Sequence, residues 1–239
     1  MAGGDWSVLT REHIFKHFYQ LGPKLVGKDL TPKQIHGYFK RHAQKLAPII
    51  VTRVSSMDVD NGYVYIGGCY EAELDMMEKP SISISLHFHP WDDVITYTQK
   101  RLKRGCILLA DTLLHEIIHM RQHRRRDFVA KRDYQSNATP EKKKHEQSYM
   151  GNHDEIDAYS FNIACELHKH FGNDHDAIHR YLNTTNANAK KSPIWKWYMK
   201  TFDYDHNNPV IQKVKTKVVK YLPSAALGKP FKNNDWLIY

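Results

Sequence analysis

The stretch from Cys106 to Arg126 contains neither proline nor glycine, and its first half is strongly apolar. Ile107, Leu108, Leu109, Ala110, Leu113, Leu114, Ile117 and Ile118 make it a core helix that carries a few polar residues inward. Set within it is His115-Glu116-Ile117-Ile118-His119. On a helix, residues four apart project from one face, so both imidazoles can grip a single metal ion. Glu116 follows the first histidine, where its carboxylate can reach a metal-activated water without being a ligand. A buried, unpartnered glutamate beside two histidines is costly, and a metal is the simplest way to satisfy all three. The chain has 16 histidines in 239 residues, so the competing reading is an amphipathic helix whose histidines are exposed or hydrogen-bonded.

The third ligand decides what such a centre can do. Structural zinc sites are closed by four protein ligands, whereas catalytic ones use three and leave a position for water. After His119 the chain turns basic, with Arg121, Arg124, Arg125, Arg126, Lys131, Arg132, Lys142, Lys143 and Lys144, and Asn137 to Pro140 punctuate it. That composition reads as a solvated helix end followed by a loop. A second helical segment starts near Asn152, a suitable N-cap, with Ile156, Tyr159, Ile163, Ala164 and Leu167 on one stripe. Glu155 lies in its first turn at the edge of that stripe, where a carboxylate can face the histidine pair. His153 and Asp154 are its neighbours, and each can take its place. His123 continues the histidine spacing, but on a straight helix it sits a full turn beyond the site. No glycine follows His119 to bend the chain.

On His115-Glu116-Ile117-Ile118-His119 and Glu155-Ile156-Asp157-Ala158, roughly residues 80–170 resemble the zincin metallopeptidases, in particular the gluzincin-like branch. In that branch a second helix supplies a glutamate ligand. The Glu-x-x-Ala helix is also similar to that of ImmA/IrrE-type peptidases. SprT-like proteins carry the first motif but take a histidine as third ligand, which favours His153 or His145, so the subfamily stays open. The resemblance implies Zn2+ held by His115, His119 and Glu155, with Glu116 as general base. The implied activity is that of a zinc metalloendopeptidase acting on a protein or peptide. A donor to the developing oxyanion is then needed, and Tyr149, Tyr159 and His145 are the candidates. Asp157 is a candidate to orient a metal-bound imidazole. In zincins the strand before the active-site helix commonly forms the rim of the cleft. Here that strand is Ser81 to Phe88, an alternation whose polar face is Ser81, Ser83, Ser85 and His87. The other reading of that strand is an interior position in a small sheet.

The expected fold class is α+β: a zincin-like core with a small mixed sheet, an active-site helix and a second ligand-bearing helix, flanked by helical segments. We read residues 1–239 as one domain, with a helical N-terminal part over 1–47, a catalytic core over 48–170 and a mostly helical part over 171–239. A helix is expected from about Thr10 to Tyr19, and another begins at Thr31-Pro32-Lys33-Gln34, a capping box with proline at the first position. Strands are expected at Ile49 to Val54 and, after the turn dipeptide Asn61-Gly62, up to Gly67. Val210 to Tyr221 reads as a basic amphipathic helix or an edge strand. Trp195, Trp197, Tyr198, Phe202 and Tyr204 read as packing residues.

No apolar run approaches the roughly eighteen residues that span a bilayer, the first residues lack a signal-peptide pattern, and three scattered cysteines fit a reducing compartment. A cytoplasmic protein is expected. The formal net charge of +9 and the clusters at Lys100 to Arg104, Arg121 to Arg132 and Lys142 to Lys144 support a second reading. In it the protein is nucleic-acid-associated or purely a binding protein, with a structural or degenerate zinc site.

Overall fold

The computed structural model describes residues 6, 9–129, 131, 133–184 and 190–228. Residues 1–5 and Arg132, which entered the sequence reading, lie outside them. The chain is α+β and divides into two compact units, the first running to Phe128 and the second starting at Val129.

The first unit holds α1 (Arg11–Tyr19), α2 (Gly22–Leu25), β1 (Asp29–Leu30), α3 (Pro32–Leu46), β2 (Ile49–Ser55), β3 (Val64–Tyr70), α4 (Ala72–Met76), β4 (Ile82–Phe88), β5 (Ile95–Thr96) and α5 (Gln99–Arg124). The start of α3 is as the sequence predicts. Thr31 Oγ1 accepts from the Gln34 amide, the Gln34 side chain accepts from the Thr31 amide, and Pro32 occupies the first turn. Ile35, Phe39 and Ala43 are its buried stripe.

The main sheet has the order β2-β4-β3. β2 runs parallel to β4, with Ile49 opposite Ile82 and Ser55 opposite Phe88. β3 is antiparallel to β4, with Val64 opposite Phe88 and Tyr70 opposite Ile82. The alternation from Ile82 to Phe88 has its cause here: Ile82, Ile84, Leu86 and Phe88 are buried, and Ser83, Ser85 and His87 are half-buried on the other face. Both edges of β4 are therefore occupied, and of the two readings of this strand the structure takes the interior one. β3 is at the edge of the sheet. Phe18, Phe39, Ala43, Ile49, Val51, Ile84, Leu86, Leu109 and Leu113 converge from α1, α3, α5 and the sheet into one apolar core. A bidentate ion pair from Arg11 to Asp111, at 2.5 and 2.9 Å, fixes α1 on α5.

The second unit is helical: α6 (Glu141–Gly151), α7 (His153–Phe171), α8 (His175–Leu182), α9 (Pro193–Thr201) and α10 (Pro209–Ala226). The segment from Val210 settles as a helix, capped by Asn208 with Pro209 in the first turn. Val210, Ile211, Val214, Val218 and Leu222 are buried at helical spacing and pack α10 on α7. Trp195, Tyr198 and Phe202 are fully buried, whereas Tyr204 is exposed. α6 stands where the sequence reads as loop. Its buried residues are Gln147, Met150 and Gly151: Gln147 Nε2 donates to the Thr201 carbonyl at 2.8 Å, and its Oε1 accepts from Ser136 at 2.6 Å. A helix anchored by a satisfied polar network has no apolar stripe to read. Among the described residues no helix is long and apolar enough to cross a membrane.

Candidate metal centre

α5 is long because nothing interrupts it. Thr98 caps it through the Arg101 amide, and 26 residues follow without proline. At 1.5 Å per residue it is about 39 Å long, with the histidine pair in its C-terminal half. Leu109, Leu113, Ile117 and Met120 are buried on it, and His115 and Glu116 are 6% and 7% exposed. Apolar burial thus holds two ionisable side chains inside the protein.

His115 Nε2 and His119 Nε2 are 3.0 Å apart, with their rings edge to face. His119 Nδ1 is 2.9 Å from Gln122 Oε1, an acceptor one turn further along α5. That bond places the ring proton on Nδ1 and leaves the Nε2 lone pair aimed at His115. One ligand atom from each of His115, His119 and Glu155 lies within 4.8 Å of the other two, and no other such group of three is found among the described residues. In a tetrahedral site with bonds near 2.0–2.1 Å, ligand atoms stand about 3.3 Å apart, close to the spacing of the two histidine Nε2 atoms. Two imidazoles and one carboxylate fit a divalent transition metal with a position left open. The group can hold a metal ion.

Glu155 is half-buried in the first turn of α7, where the positive end of the helix favours a carboxylate. Asn152 caps that helix through the Asp154 amide at 3.1 Å. The alternative ligands are placed elsewhere. His123 lies against the Tyr70 ring, centroids 5.4 Å apart. His153 is exposed, and Lys131 Nζ approaches its Nδ1 at 3.2 Å. Partial desolvation of its ring, followed by Lys131 and Lys217, lowers the pKa of His153. His145 is exposed and pairs with Glu141 at 3.2 Å. Asp157 Oδ1 accepts from Lys217 Nζ at 2.6 Å, and Gln122 is the orienting acceptor found on His119.

The Tyr149 and Tyr159 hydroxyls are 3.2 Å apart. Tyr149 is 47% exposed as a residue, and desolvation of its hydroxyl, followed by the negative charge of Glu155, raises its pKa. The same two causes raise that of Tyr198, whose hydroxyl donates to the Met150 carbonyl at 3.1 Å. Both phenols stay protonated and are hydrogen-bond donors at neutral pH.

Glu116 reaches across to β3, beside Gly68 and Cys69. Burial raises the pKa of the exposed Cys69 thiol, and the charge on Glu116 raises it further. Gln122 and Gly68 were missed in the sequence reading. Gln122 had a signal, since a polar residue three positions after a ligand shares its face. Gly68 had none, because strand-to-helix packing is not written in local spacing. No family model matches this chain, no curated protein is similar to it, and no solved structure matches it.

Proposed function

We propose that the chain is a zinc-dependent endopeptidase of the H-E-x-x-H type, with a zincin-like core and His115, His119 and Glu155 as ligands. The observation that carries this reading is the histidine pair with Nε2 atoms 3.0 Å apart, a carboxylate within 4.8 Å, and a second, buried carboxylate next in sequence. Bound zinc would supply Lewis acidity, acidifying a water and polarising the scissile carbonyl. Glu116 takes the proton from the attacking water and delivers it to the leaving amine. The low exposure of Glu116 favours that exchange, because desolvation makes a carboxylate a better base. Gln122 holds His119 in the tautomer that offers Nε2. Tyr149 and Tyr159 are donors for the oxyanion. Of the two, Tyr149 is held protonated by desolvation of its hydroxyl and by Glu155.

The test is hydrolysis of a quenched fluorescent peptide library and of unfolded casein by zinc-loaded protein. Cleavage of selected peptides that is lost with chelator and in Glu116→Gln supports the reading. A zinc-loaded protein that cleaves neither substrate overturns it.

A second property, binding of a polyanion, is favoured by one feature. Lys100, Arg101, Lys103 and Arg104 are all exposed on the first turns of α5, where the helix end already carries positive charge. A phosphate backbone would relieve that repulsion. Retention on heparin that weakens steeply with salt supports nucleic acid as a partner, and flow-through at low salt excludes it.

A further inference from the structure

Gly68 lies within β3, and its backbone is not left-handed, since Gly27, Gly62, Gly172 and Gly228 are the glycines with positive φ. Conformational freedom therefore does not explain a glycine here, and space does. A Cβ built on Gly68 would stand 2.7 Å from Glu116 Oε1, 2.9 Å from Glu116 Cγ and 2.6 Å from Thr112 Cγ2. Favourable contacts between carbons begin near 3.5 Å. Thr112 and Glu116 are one turn apart on α5 and both press on this strand. The atoms in conflict include side-chain roots set by χ1, not only flexible tips, and Glu116 is 7% exposed, so little solvent space is open to it. Its neighbour Gly67 serves the other face, where a Cβ would meet Ser85 Oγ at 2.7 Å. Gly105 is the contrast: a Cβ there meets nothing within 4 Å.

We infer that Gly68 is a positioning residue for the general base: the missing side chain on β3 is what seats the Glu116 carboxylate beside the histidine-bearing turn. This rests on the peptidase reading above. The three atoms nearest a Cβ at Gly68 belong to Thr112 and Glu116 and to none of the three proposed ligands, so its replacement is expected to move the base and leave the metal set intact. Any side chain at 68 forces either β3 outward or Glu116 off its rotamer. In both cases the carboxylate leaves the place from which it takes the proton.

The experiment compares Gly68→Ala with wild type, with Glu116→Gln and with Gly105→Ala. It has three readouts: zinc affinity by competition with a chromophoric chelator, kcat and KM on whichever fluorescent peptide the wild type cleaves, and the pH midpoint of Cys69 alkylation by iodoacetamide in the metal-free protein. Cys69 is exposed while Cys106 and Cys165 are buried, so alkylation reads one thiol. The expected result for Gly68→Ala is zinc affinity close to wild type, kcat down at least ~100-fold with little change in KM, and a Cys69 midpoint moved to lower pH, as in Glu116→Gln. Adding Thr112→Ser to Gly68→Ala removes the clash at Thr112 Cγ2. The double variant should recover thermal stability but not kcat, which separates folding from placement of the base. A Gly68→Ala protein that matches Gly105→Ala in kcat and keeps the wild-type Cys69 midpoint overturns the inference. If the wild type binds zinc but cleaves no peptide, the peptidase reading fails, and the Cys69 midpoint still decides whether Gly68 seats Glu116.

Discussion

In the proposed scheme three side chains divide the work at the histidine pair. His119 would bind through Nε2 with its Nδ1 proton held by Gln122, so Gln122→Ala should leave the ring free to choose the wrong tautomer. The expected loss is about 10- to 100-fold in zinc affinity, measured by chelator competition, with the fold unchanged. Glu116 binds nothing in the proposed scheme, and Glu116→Gln keeps its size. That variant should retain full zinc content and lose about 10²- to 10⁴-fold in peptide hydrolysis. Loss of zinc in Glu116→Gln would instead make Glu116 a ligand. At this scale the histidine pair was legible, because His115 and His119 stand four apart on one helix and belong to the group that could hold a metal. Glu155 was legible only as one of three adjacent candidates, and the geometry separates it from the exposed His153. Gly68 was not legible, since its role depends on a helix that comes decades of residues later in the chain.

At the level of elements, helix ends were read most closely and polar-faced helices least. Thr31, Pro32 and Gln34 form the capping box that their sequence spells. Thr31→Ala should cost about 1 kcal/mol, a fall of about 2–4 °C in Tm for a chain of this size, and thermal unfolding of the single variant checks it. A fall that small should leave zinc content alone, as α3 carries no ligand. α6 escaped because Gln147 and its hydrogen bonds, rather than an apolar stripe, fix its inward face. The strand order escaped for a related reason. β2 and β3 follow one another in sequence, yet β4 pairs between them. Nothing in two adjacent apolar runs reveals a third that inserts later. The end of α5 is tied down by a comparable long-range contact: Arg124 forks onto the buried Asp75 at 2.6 and 2.8 Å, and Tyr70 donates to the same carboxylate at 2.9 Å. Arg124→Ala leaves that carboxylate with one donor, and the expected cost is about 2 kcal/mol, read by denaturant unfolding at neutral pH.

Across the molecule, three histidines with depressed pKa values contribute to the response to acid. Partial burial first, and then the charges of His17, Lys24 and Lys45, lower the pKa of His42. They act likewise on His153 and on His206, which feels Lys215. A histidine with a depressed pKa in the fold stays neutral there while the unfolded chain takes up the proton. Its contribution is intact above the ordinary value of 6.5 and is lost as pH falls below it. Tm should therefore decline between about pH 7 and about pH 5.5, and the decline should be shallower in His42→Gln. Metal content reads the site directly and should be measured on purified wild type, Glu155→Ala and His123→Ala prepared identically without chelator. Wild type and His123→Ala should each carry about one zinc per chain, and Glu155→Ala should carry none. A wild-type protein that takes up no metal when zinc is supplied would contradict the proposed site.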